Sequence, residues 1–533
     1  MCAQAASVVR KTLEANVNED SDISDCQRDV VAFLACAGWE GRQAEAVHRI
    51  DTHGAHVFIG AHDVYKIKRA VRYPYMDFSS LAKRRAACAR EVEINAPHAP
   101  AVYKGLVAIT READGRLALN GAGEPVEWAV HMARFAEEDV LVNRVVQTAL
   151  TGDEAKALAD AVVASHGAAQ VVVEPPERAA IASIAHDVLA ALPGFFGGTD
   201  GDVLGLTDAL SLRLSTLAPL FKQRARAGSV RRCHGDLHLG NVVFIGGAPM
   251  LFDALEFDEA LATVDVLYDL AFLLMDLDHR GHRAAANAVF NRYIWRRQDD
   301  TDLEGLAALP VFLALRAAIR AMVGAQRAAS TDEGLAEARA YLKRALSYLD
   351  EGRPHLVVTA GLSGSGKSTL AAALAPMLGR APGAVHVRSD LERKALFGAG
   401  DLERLPDAAY GADVTVRVYA RLLAKSEAAL RAGHSVVADA VHAHPSERAE
   451  MAALAQRAGA RFVAFWLEAP RHVLLQRVGA RKNDASDATP QVVERQMSYD
   501  LGELEWTRLD ASGTPEETLC TAMSHLHAST GPP

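Results

Sequence analysis

The sequence predicts two domains of different fold class: an α+β domain built of two lobes, followed by a parallel α/β domain. Strand-like alternation of apolar and polar residues dominates about the first 135 residues, and helical periodicity dominates from there to about residue 349. After the break at residues 351–354, strands and helices alternate one for one, which is typical of a parallel sheet. We therefore expect a first domain at 1–350, with a small lobe at about 25–133 and a large lobe at about 134–350, and a second domain at 353–533.

The bulk composition limits the function classes. A chain of 533 residues is too long for one hydrophobic core, so more than one domain is expected. The formal net charge of −10 argues against a protein that coats nucleic acid, although it leaves room for a local basic cleft. The six cysteines lack metal-ligand spacing and are expected to be reduced thiols. The first 25 residues carry no apolar signal segment, and charged residues interrupt each apolar stretch, so we expect a cytoplasmic protein without membrane spans.

The small lobe should be a sheet with one long helix. Alternation over 47–68 predicts paired strands joined near Gly60–Asp63. A short helix is expected before them at Val30–Ala37, and a charged amphipathic helix after them at Leu81–Asn95. Strand character then returns at Tyr103–Thr110, Leu117–Leu119 and Glu127–Ala133.

Helical patterns dominate the large lobe, and strict alternation marks the second domain. The helices of the large lobe are expected at Asp153–Gln170, Glu177–Leu192, Asp208–Ala227 and from Asp265 to about Leu349. A short hairpin at Val242–Phe252 interrupts them. The strands of the second domain are expected at His355–Ala360, Val385–Arg388, Ser435–Ala438 and Arg461–Leu467. The helices between them are expected at Ser368–Leu378, Ala412–Ala432 and Ser446–Ala458.

A glycine-rich segment follows the first strand of the second domain and opens a helix, which is the context of a P-loop. It fits the pattern G-x-x-x-x-G-K-[ST]. Its predicted nucleotide-binding residues are Gly361, Ser363, Gly364, Ser365, Gly366, Lys367, Ser368 and Thr369. The glycines let successive backbone N–H groups face a β-phosphate, and the helix adds its N-terminal dipole. Lys367 should reach the β- and γ-phosphates of ATP, and the Ser368 hydroxyl should ligate Mg²⁺.

Two acids and two arginines extend this predicted site. Asp390 follows the second strand and could accept a proton from a substrate hydroxyl, while Asp439 ends the third strand and could orient Mg²⁺ through water. The structural alternative for either acid is a helix N-cap. Arg477 and Arg481 lie four residues apart on a predicted helix and should share one face, with a solvated basic surface as the structural alternative to a catalytic role.

Two further cations, Arg393 and Lys394, follow Asp390 on its helix and could hold an anionic substrate. The P-loop, Asp390, Asp439 and the two arginines Arg477 and Arg481 make the chain from 355 to about 520 resemble the small P-loop kinases. That group contains zeta toxins, gluconate kinases, chloramphenicol phosphotransferases and polynucleotide kinases. The resemblance implies that the two lid arginines close over the transferring phosphate, with the tract Asn483–Ala488 as the lid tip.

A second phosphate-handling signature lies in the first domain and reads H-G-D-x-x-x-x-N from His234 to Asn241. Its spacing lets Asp236 sit beside an acceptor hydroxyl while Asn241 turns back to coordinate Mg²⁺. After the short hairpin comes Asp253, at the place of a second metal-binding acid. The segment resembles the catalytic loop of aminoglycoside phosphotransferases and, more distantly, of protein kinases. A bilobal protein-kinase-like fold is therefore expected over about 45–350.

This resemblance implies partners in the small lobe. Lys66 and Lys68 lie on one face of a strand, and one of them should pair the α- and β-phosphates, with Glu91 as its counter-ion. We favour Lys66, although the pattern does not separate the two lysines. Met132 would belong to the hinge, residues 130–133, that hydrogen-bonds adenine through its backbone.

The resemblance also implies bracing residues and shows departures. Asp269 resembles the buried acid that braces the catalytic loop, and His234 and His238 should brace the same loop. A G-x-G-x-x-G loop is missing, and the second metal acid is followed by Ala254 and Leu255 rather than by Phe and Gly. Aminoglycoside phosphotransferases share these departures. The resemblance concerns fold and chemistry and does not identify an aminoglycoside as the substrate.

The whole architecture resembles bacterial proteins described as bifunctional aminoglycoside phosphotransferase and ATP-binding proteins, or as AAA-family ATPases. No sensor or arginine-finger region of a true AAA module is visible in the sequence, so that label covers only the P-loop. We expect an ATP- and Mg²⁺-dependent phosphotransferase with two sites, each transferring the γ-phosphoryl group to a hydroxyl of a small molecule.

Two other functions stay open at this point. One half, more readily the N-terminal half with its sparse glycine loop, would bind ATP as a regulatory module without catalysis. Alternatively, the C-terminal half would phosphorylate a nucleic-acid 5′-hydroxyl, which calls for a basic groove around Arg393, Arg477 and Arg481. The sequence assigns neither the acceptor nor an oligomeric state.

Overall fold

The computed structural model describes residues 27–36, 39, 47–52, 54–73, 76–177, 180–327, 332–481 and 484–530. Residues 1–25, for which no signal segment is expected, and Asn483 at the start of the expected lid tip lie outside them. The described chain forms two compact units. The N-terminal unit runs to Asp276 and includes Val311–Ser347, and the C-terminal unit comprises Leu277–Pro310 and the chain from Tyr348 onward.

An antiparallel sheet forms the small lobe of the N-terminal unit. The strands of this lobe are β1 (His48–Asp51), β2 (Ala55–Ile59), β3 (Asp63–Lys68), β4 (Arg72–Tyr73), β5 (Met76–Asp77), β6 (Tyr103–Arg111), β7 (Leu117–Leu119) and β8 (Glu124–Ala133). Six of them pair in the order β1-β2-β3-β8-β6-β7, while β4 and β5 pair with each other. One face of the sheet buries Phe58, Ile67, Ile109 and Ala129 against α1 (Arg28–Ala35). Helix α2 (Leu81–Asn95) has the bounds that its amphipathic pattern predicts, and Ser80 caps its first turn.

The large lobe is mostly helical. Its helices before residue 280 are α3 (Leu141–Gln147), α4 (Gly152–Ala168), α5 (Ile181–Phe196), α6 (Gly201–Arg226), α7 (Glu259–Ala262) and α8 (Val266–His279). Its short strands are β9 (Val230–Arg232), β10 (Val242–Ile245), β11 (Ala248–Leu251) and β12 (Thr263–Asp265). Strands β10 and β11 form the predicted hairpin, and β9 pairs with β12. The loop from β9 to β10 therefore starts and ends on paired strands, and it carries the H-G-D-x-x-x-x-N signature.

The chain leaves the N-terminal unit within one helix and returns within another. The next helices are α9 (Arg283–Arg297), α10 (Asp300–Gly305), α11 (Leu309–Arg327) and α12 (Asp332–Tyr348). The division between the units falls inside α8 and inside α11, so α9 and α10 belong to the C-terminal unit. The domain boundary near residue 352 stays a prediction, and the compact units place 277–310 on the other side of it.

A five-stranded parallel sheet forms the centre of the C-terminal unit, as the alternation of elements predicts. Its strands are β13 (His355–Gly361), β14 (Val385–Arg388), β15 (Val436–Asp439), β16 (Arg461–Glu468) and β17 (Thr507–Asp510), paired in the order β14-β15-β13-β16-β17. The helices that follow α12 are α13 (Lys367–Leu374), α14 (Ser389–Leu396), α15 (Ala412–Arg431), α16 (Pro445–Arg457), α17 (Arg471–Ala480), α18 (Pro490–Met497) and α19 (Pro515–Thr530). Val357, Leu370, Val437 and Phe465 join the sheet and α13 in one apolar core.

Helix α9 covers β14, the edge strand of this sheet. The side-chain amides of Asn287 and Asn291 both donate to the Ala384 carbonyl at 3.1 Å. The His386 amide donates to Asn291 Oδ1 at 2.7 Å, and Trp295 Nε1 donates to the Leu391 carbonyl at 3.1 Å. Backbone groups at a sheet edge need partners, and α9 supplies them here.

One helical run, Asp300–Gln326, is long and apolar enough by length and composition to cross a membrane. In the structure, 83% of its most apolar window is buried, as in the core helix of a soluble protein. Within the run, Arg316 packs on the Tyr268 ring and Arg320 on the Tyr341 ring. The burial agrees with the sequence-based expectation of a core helix.

Two candidate active sites

The loop after β9 holds a buried acid in the N-terminal unit. The Asn241 side chain donates to the Asp236 carbonyl at 2.9 Å and lies 3.4 Å from Asp236 Oδ2. Asp236 is only 7% exposed, and its Oδ1 has no hydrogen-bond partner among the residues that the structure describes. A buried carboxylate oxygen without a partner is costly, so this atom fits a ligand hydroxyl or a metal ion.

Asp269 braces this loop from α8, and the prediction of a structural role is confirmed. Its carboxylate accepts from the backbone amides of His234 at 3.2 Å and Gly235 at 2.8 Å, and from His166 Nε2 at 3.1 Å. Ligand atoms of His166, Cys233 and Asp269 lie within 4.8 Å of one another. The hydrogen bonds of Asp269 already account for that cluster, so we read it as part of the brace.

Arg316 on α11 is a second brace, which the sequence analysis did not find. Its guanidinium donates to the Gly235 carbonyl at 3.2 Å and to the Tyr268 carbonyl at 3.2 Å. It also stacks 3.8 Å from the centre of the Tyr268 ring. An arginine inside an otherwise apolar helix was the available signal, because a buried guanidinium must have partners.

The two histidines of the signature hold the loop as expected. His234 Nε2 donates to the Phe252 carbonyl at 3.0 Å, and His238 Nδ1 accepts from the Gly240 amide at 3.0 Å. Burial lowers the pKa of both imidazoles, although Asp269 and Asp236 oppose the shift at His234 and Asp236 and Asp276 oppose it at His238. Both rings therefore act as neutral hydrogen-bonding groups.

A network of two lysines and three carboxylates lies between β3, α2 and the segment after β11. Lys66 Nζ donates to Glu91 Oε1 at 2.9 Å and to Asp253 Oδ1 at 2.6 Å. Lys68 Nζ donates to Glu91 Oε2 at 2.5 Å and also to Glu256. The lysines thus share Glu91, but Lys66 reaches the predicted metal acid and Lys68 the buried Glu256, a residue that the sequence analysis gave no role.

The charges of this network reinforce one another. Burial would lower the pKa of Lys66, but Asp253 and Glu91 hold it well above its ordinary value. Burial would likewise raise the pKa of Asp253, but Lys66 holds it below its ordinary value. Asp253 is fixed in left-handed backbone with a φ of 60°, and its amide donates to the Tyr103 hydroxyl at 3.2 Å. The arrangement favours Lys66 over Lys68 as the phosphate-binding lysine.

The predicted hinge residue Met132 lies next to the end of β8. Its ladder neighbours are Val64 on β3 and Tyr103 on β6. The amide of Ala133 donates to the Val102 carbonyl at 2.7 Å, and the amide of Arg134 donates to the His62 carbonyl at 2.9 Å. Both amides are thus used within the lobe, and the adenine contact of Met132 stays a prediction.

The C-terminal unit presents the glycine-rich segment as a tight loop between β13 and α13. Gly361, Gly364 and Gly366 have φ values of 138°, 85° and 90°, which non-glycine residues rarely adopt. A Cβ atom on Gly364 would lie 2.7 Å from the Leu474 carbonyl oxygen, so only glycine fits there. The loop ends where α13 begins at Lys367, which places Ser368 and Thr369 in the first helical turn, as the motif predicts.

Lys367 shares its surroundings with both predicted acids. Burial lowers the pKa of Lys367, and the charges of Asp439 and Asp390 oppose that shift. Arg388 and Arg481 lower it further. A buried lysine between acids and cations fits the phosphate chain of a nucleotide, since phosphate oxygens would stabilise its charge.

Asp439 ends β15 and is 1% exposed. Its Oδ2 lies 3.4 Å from His386 Nε2 and 3.7 Å from Arg388 Nε, while its Oδ1 has no hydrogen-bond partner in the described part of the chain. Burial would raise the pKa of Asp439, but His386, Arg388 and Lys367 lower it to about 2. The acid is therefore an anion in the folded protein, and it caps no helix.

Asp390 lies in the first turn of α14, where the N-cap position belongs to Arg388 and not to Asp390. Arg388 Nη2 is 3.8 Å from Asp390 Oδ2 and donates to Asp484 Oδ1 at 2.6 Å. With its contact to Asp439, Arg388 therefore faces three carboxylates. From the sequence, Arg388 is predicted only as the last residue of a strand.

The predicted arginine pair is separated by the end of its helix. Helix α17 ends at Ala480, and Arg481 follows in extended backbone with a φ of −64° and a ψ of 132°, so the common helical face is not formed. Arg477 donates to the carbonyls of Ala511 at 2.7 Å and Gly513 at 2.9 Å. This corrects the prediction: Arg481 contributes to the field at Lys367, and Arg477 anchors the segment after β17.

Arg393 and Lys394 also differ from the expected substrate-binding cations. Arg393 Nη1 donates to the Ala409 carbonyl at 2.7 Å. Lys394 Nζ donates to both carboxylate oxygens of Asp487, at 3.0 and 3.1 Å, and to the Glu403 carbonyl. Both cations are therefore already bound by other groups of the protein. These partners lie elsewhere in the sequence, so the position of the two cations on the helix does not reveal them.

The polar atoms near the P-loop fit a nucleotide with Mg²⁺. Ser365 Oγ, Thr359 Oγ1 and Asp439 Oδ1 are buried without a hydrogen-bond partner among the described residues. Carboxylate and hydroxyl oxygens, as on Asp439 and Ser368, are the ligands that Mg²⁺ prefers. In the N-terminal unit, Asn241 and Asp253 offer the same kind of donor set.

Comparisons with known proteins agree with this division. Residues 356–500 match the family model AAA_33, described as an AAA domain. An uncharacterized protein of Mycobacterium tuberculosis (strain ATCC 25618 / H37Rv) is 28% identical over 483 residues, which is 88% of this chain and 93% of that protein. An uncharacterized protein of Mycobacterium bovis matches equally well.

Solved structures align with one part of the chain or the other. A gluconokinase from Sinorhizobium meliloti 1021 covers 33% of this chain and 93% of its own, with 22% identity and a TM-score of 0.24. A choline/ethanolamine kinase family protein from Mesorhizobium loti covers 61% and 99%, with 16% identity and a TM-score of 0.36. A GDP complex of aminoglycoside 2'-phosphotransferase-IIIa covers 60% and 99%, with 14% identity and a TM-score of 0.36. The match to the family model and the five-stranded parallel sheet agree with the predicted parallel α/β fold of the C-terminal unit.

Proposed function

We propose that the chain is an ATP- and Mg²⁺-dependent phosphotransferase with two active sites, each transferring the γ-phosphoryl group to a hydroxyl of a small molecule. One observation carries the proposal. In both units a buried acid, Asp236 or Asp439, has a carboxylate oxygen without a hydrogen-bond partner among the described residues. Each site also contains a lysine suited to phosphate, the half-buried Lys66 or the buried Lys367. Phosphoryl transfer depends on positioning and electrostatic stabilisation, and these groups can supply both.

In the N-terminal site, Lys66 pairs the α- and β-phosphates, and Glu91 holds Lys66 in place. Asn241 and Asp253 hold Mg²⁺, which when bound neutralises charge on the phosphates. Asp236 orients the acceptor hydroxyl and accepts its proton. The braces from Asp269 and Arg316 fix the loop. Such bracing matters for catalysis, because a shift of about 1 Å in a reacting group can cost on the order of 100-fold in rate.

In the C-terminal site, the backbone amides of the P-loop bind the β-phosphate and Lys367 binds the transferring group. Ser368 and Asp439 would hold Mg²⁺, which when bound would neutralise charge on the phosphates. Asp390, beside Arg388, orients the acceptor hydroxyl and accepts its proton.

The positions of the arginines support a small acceptor over a nucleic-acid end. A nucleic-acid kinase needs a groove of free cations for the phosphate backbone. Arg393 and Arg477 instead donate to backbone carbonyls. The regulatory alternative, in which the N-terminal site binds ATP without transfer, is decided by the experiment below.

The test uses the full chain and single substitutions. Calorimetry with Mg²⁺ and a non-hydrolysable ATP analogue should detect two binding events for the native chain, and one each for Lys367→Ala and Lys66→Ala. A small-molecule extract with γ-labelled ATP should then yield labelled products that disappear with Asp236→Ala or with Lys367→Ala. No uptake of nucleotide would refute the proposal, and two binding events with only Lys367-dependent transfer would make the N-terminal site regulatory.

A further inference from the structure

The acceptor side of the C-terminal site, taken as Arg388, α14 and residues 484–488, contains three cations near Asp390. They are Arg388, Arg393 and Lys394, and each would be a suitable partner for a phosphate or carboxylate group on an acceptor. What these cations contact therefore decides which charge an acceptor can carry. The inference drawn from them rests on the proposed function, in which Asp390 orients the acceptor hydroxyl.

Two of these cations are withdrawn from any ligand. Arg393 is 9% exposed, donates to the Ala409 carbonyl at 2.7 Å and lies 5.0 Å from the centre of the Tyr410 ring. Lys394 is 1% exposed and is paired with Asp487. An acceptor could reach either cation only after these contacts had been broken.

Asp487 also anchors its own segment, residues 484–488. Its Oδ2 accepts from the Tyr410 hydroxyl at 2.6 Å and from the Leu405 amide at 3.0 Å. Because Lys394 lies on α14, Asp487 attaches residues 484–488 to the helix that carries Asp390. The acceptor side is thus bounded by a segment that side-chain contacts hold in place.

The third cation, Arg388, is neutralised by Asp484. Arg388 Nη2 donates to Asp484 Oδ1 at 2.6 Å, and the same oxygen accepts from the Ser486 amide at 2.8 Å. Burial would raise the pKa of Asp484, but Arg388 and the Ser486 amide hold it below its ordinary value. The Asp484 side chain is 31% exposed. An acceptor near Asp390 therefore meets a second carboxylate, held on Arg388 Nη2, the guanidinium nitrogen that lies 3.8 Å from Asp390 Oδ2.

We propose that Asp484 is a specificity residue that restricts the C-terminal site to hydroxyl acceptors without negative charge. An anionic acceptor would face Asp390 and Asp484 together, or would have to displace Asp484 from Arg388. Discrimination by such a repulsive element is a common source of specificity. The class of substrate is thus an uncharged or positively charged hydroxyl compound.

The charge of the preferred acceptor can be tested by measuring label transfer to extract fractions that are separated by charge. The full chain carrying Asp236→Asn, which silences the N-terminal site, is supplied with Mg²⁺, γ-labelled ATP and a small-molecule extract of the source organism. An anion exchanger at neutral pH first divides the extract into retained and unretained fractions. We expect the unretained fraction to support about 10-fold more label transfer than the retained fraction. Greater transfer with the retained fraction would overturn the inference.

A second variant tests Asp484 itself. Asp484→Asn removes the negative charge that lies closest to Arg388, so transfer to the retained, anionic fraction should rise about 10-fold relative to the unretained fraction. Glu468→Gln, which removes the exposed ion pair with Arg508 in the same unit, serves as the matched control and should leave the ratio unchanged. An unchanged ratio for Asp484→Asn refutes the role of Asp484.

Lys367→Ala separates this inference from the proposed function. If label transfer persists in the Asp236→Asn chain with Lys367→Ala, the C-terminal site is not the phosphotransferase and the proposed function fails. If transfer depends on Lys367 but the acceptor is anionic, only the inference about Asp484 fails.

Discussion

Lys66 Nζ lies 2.6 Å from Asp253 Oδ1, so the lysine proposed for the phosphates and the acid proposed for Mg²⁺ neutralise each other in the N-terminal unit. Glu91 joins Lys66 to Lys68, and Glu256 completes the network. A bound phosphate would give Lys66 a negatively charged partner, and a bound Mg²⁺ ion would give Asp253 a positively charged one. The second pair, Lys68 with Glu256, has no such ligand and should act in folding.

Substitution of the two lysines should therefore have different consequences. Lys68→Met removes one partner of a buried charge pair and should lower the free energy of unfolding by about 3–5 kcal/mol. Lys66→Met should cost less stability, because Asp253 remains 43% exposed, but it should abolish nucleotide binding in the N-terminal site. Urea unfolding and calorimetry with an ATP analogue measure the two effects. Lys83→Met, at an exposed pair with Asp77, is the control, and equal losses of stability for both lysines would contradict the assignment.

The stability of the C-terminal unit should fall as the solution becomes acidic. Burial, with a smaller contribution from Arg380, lowers the pKa of His434 from 6.5 to about 3. Between these pH values the unfolded chain binds one more proton than the folded chain, so the stabilisation is complete above pH 6.5 and is lost as the pH falls towards 3. In His434→Gln, whose amide can still donate to the Leu306 carbonyl, the loss between pH 7 and pH 5 should shrink by about 1–2 kcal/mol. Urea unfolding at both pH values measures this loss. An equal loss of unfolding free energy in the native chain and in His434→Gln would exclude His434 as the cause of the acid sensitivity.

Gly364 tests the P-loop geometry. Gly364→Ala combines an unfavourable φ of 85° with a Cβ atom 2.7 Å from the Leu474 carbonyl oxygen. We expect a loss of about 1–3 kcal/mol of stability and no nucleotide binding in the C-terminal site. Gly400→Ala is the matched control, because its Cβ would meet nothing within 4 Å. Normal nucleotide affinity of Gly364→Ala would show that the loop does not hold the phosphates in this shape.

Substitution of Arg481 should affect phosphoryl transfer, whereas substitution of Arg477 should affect stability. Arg481→Ala should reduce Lys367-dependent label transfer about 10-fold or more while leaving the melting temperature nearly unchanged, since it removes a cation near the phosphates. Arg477→Ala should lower stability by about 1–2 kcal/mol, because the carbonyls of Ala511 and Gly513 lose their donor, and should retain transfer. Transfer assays and thermal melts on the same preparations decide between them. The reverse pattern would restore Arg477 as the lid residue.

Local patterns in the sequence predicted the parts of each site that lie on a single element. Helix α2 has the predicted bounds, because its amphipathic repeat and the Ser80 cap are both local. The P-loop follows from the motif with its strand and helix, and the loop from β9 to β10 follows from the spacing of Asp236 and Asn241. The shared face of Lys66 and Lys68 is likewise a property of one strand.

Contacts between segments that are distant in the sequence could not be predicted from local patterns. Helix periodicity gave Arg477 and Arg481 one face, but where α17 ends depends on the segment that follows it. Arg388 meets Asp484 almost a hundred residues further on, a pairing that neither neighbourhood encodes. Only the fold shows which lysine faces Asp253.

The cover that α9 provides for β14 has a consequence for any attempt to dissect the chain. A fragment starting at residue 353 would lack Asn287, Asn291 and Trp295, and would expose the Ala384 carbonyl and the His386 amide to water or to a neighbouring copy. Expressed alone, such a fragment should tend to aggregate through its bare sheet edge. A gene cut at one point cannot release an intact C-terminal unit, because 34 of its residues are encoded upstream, at 277–310.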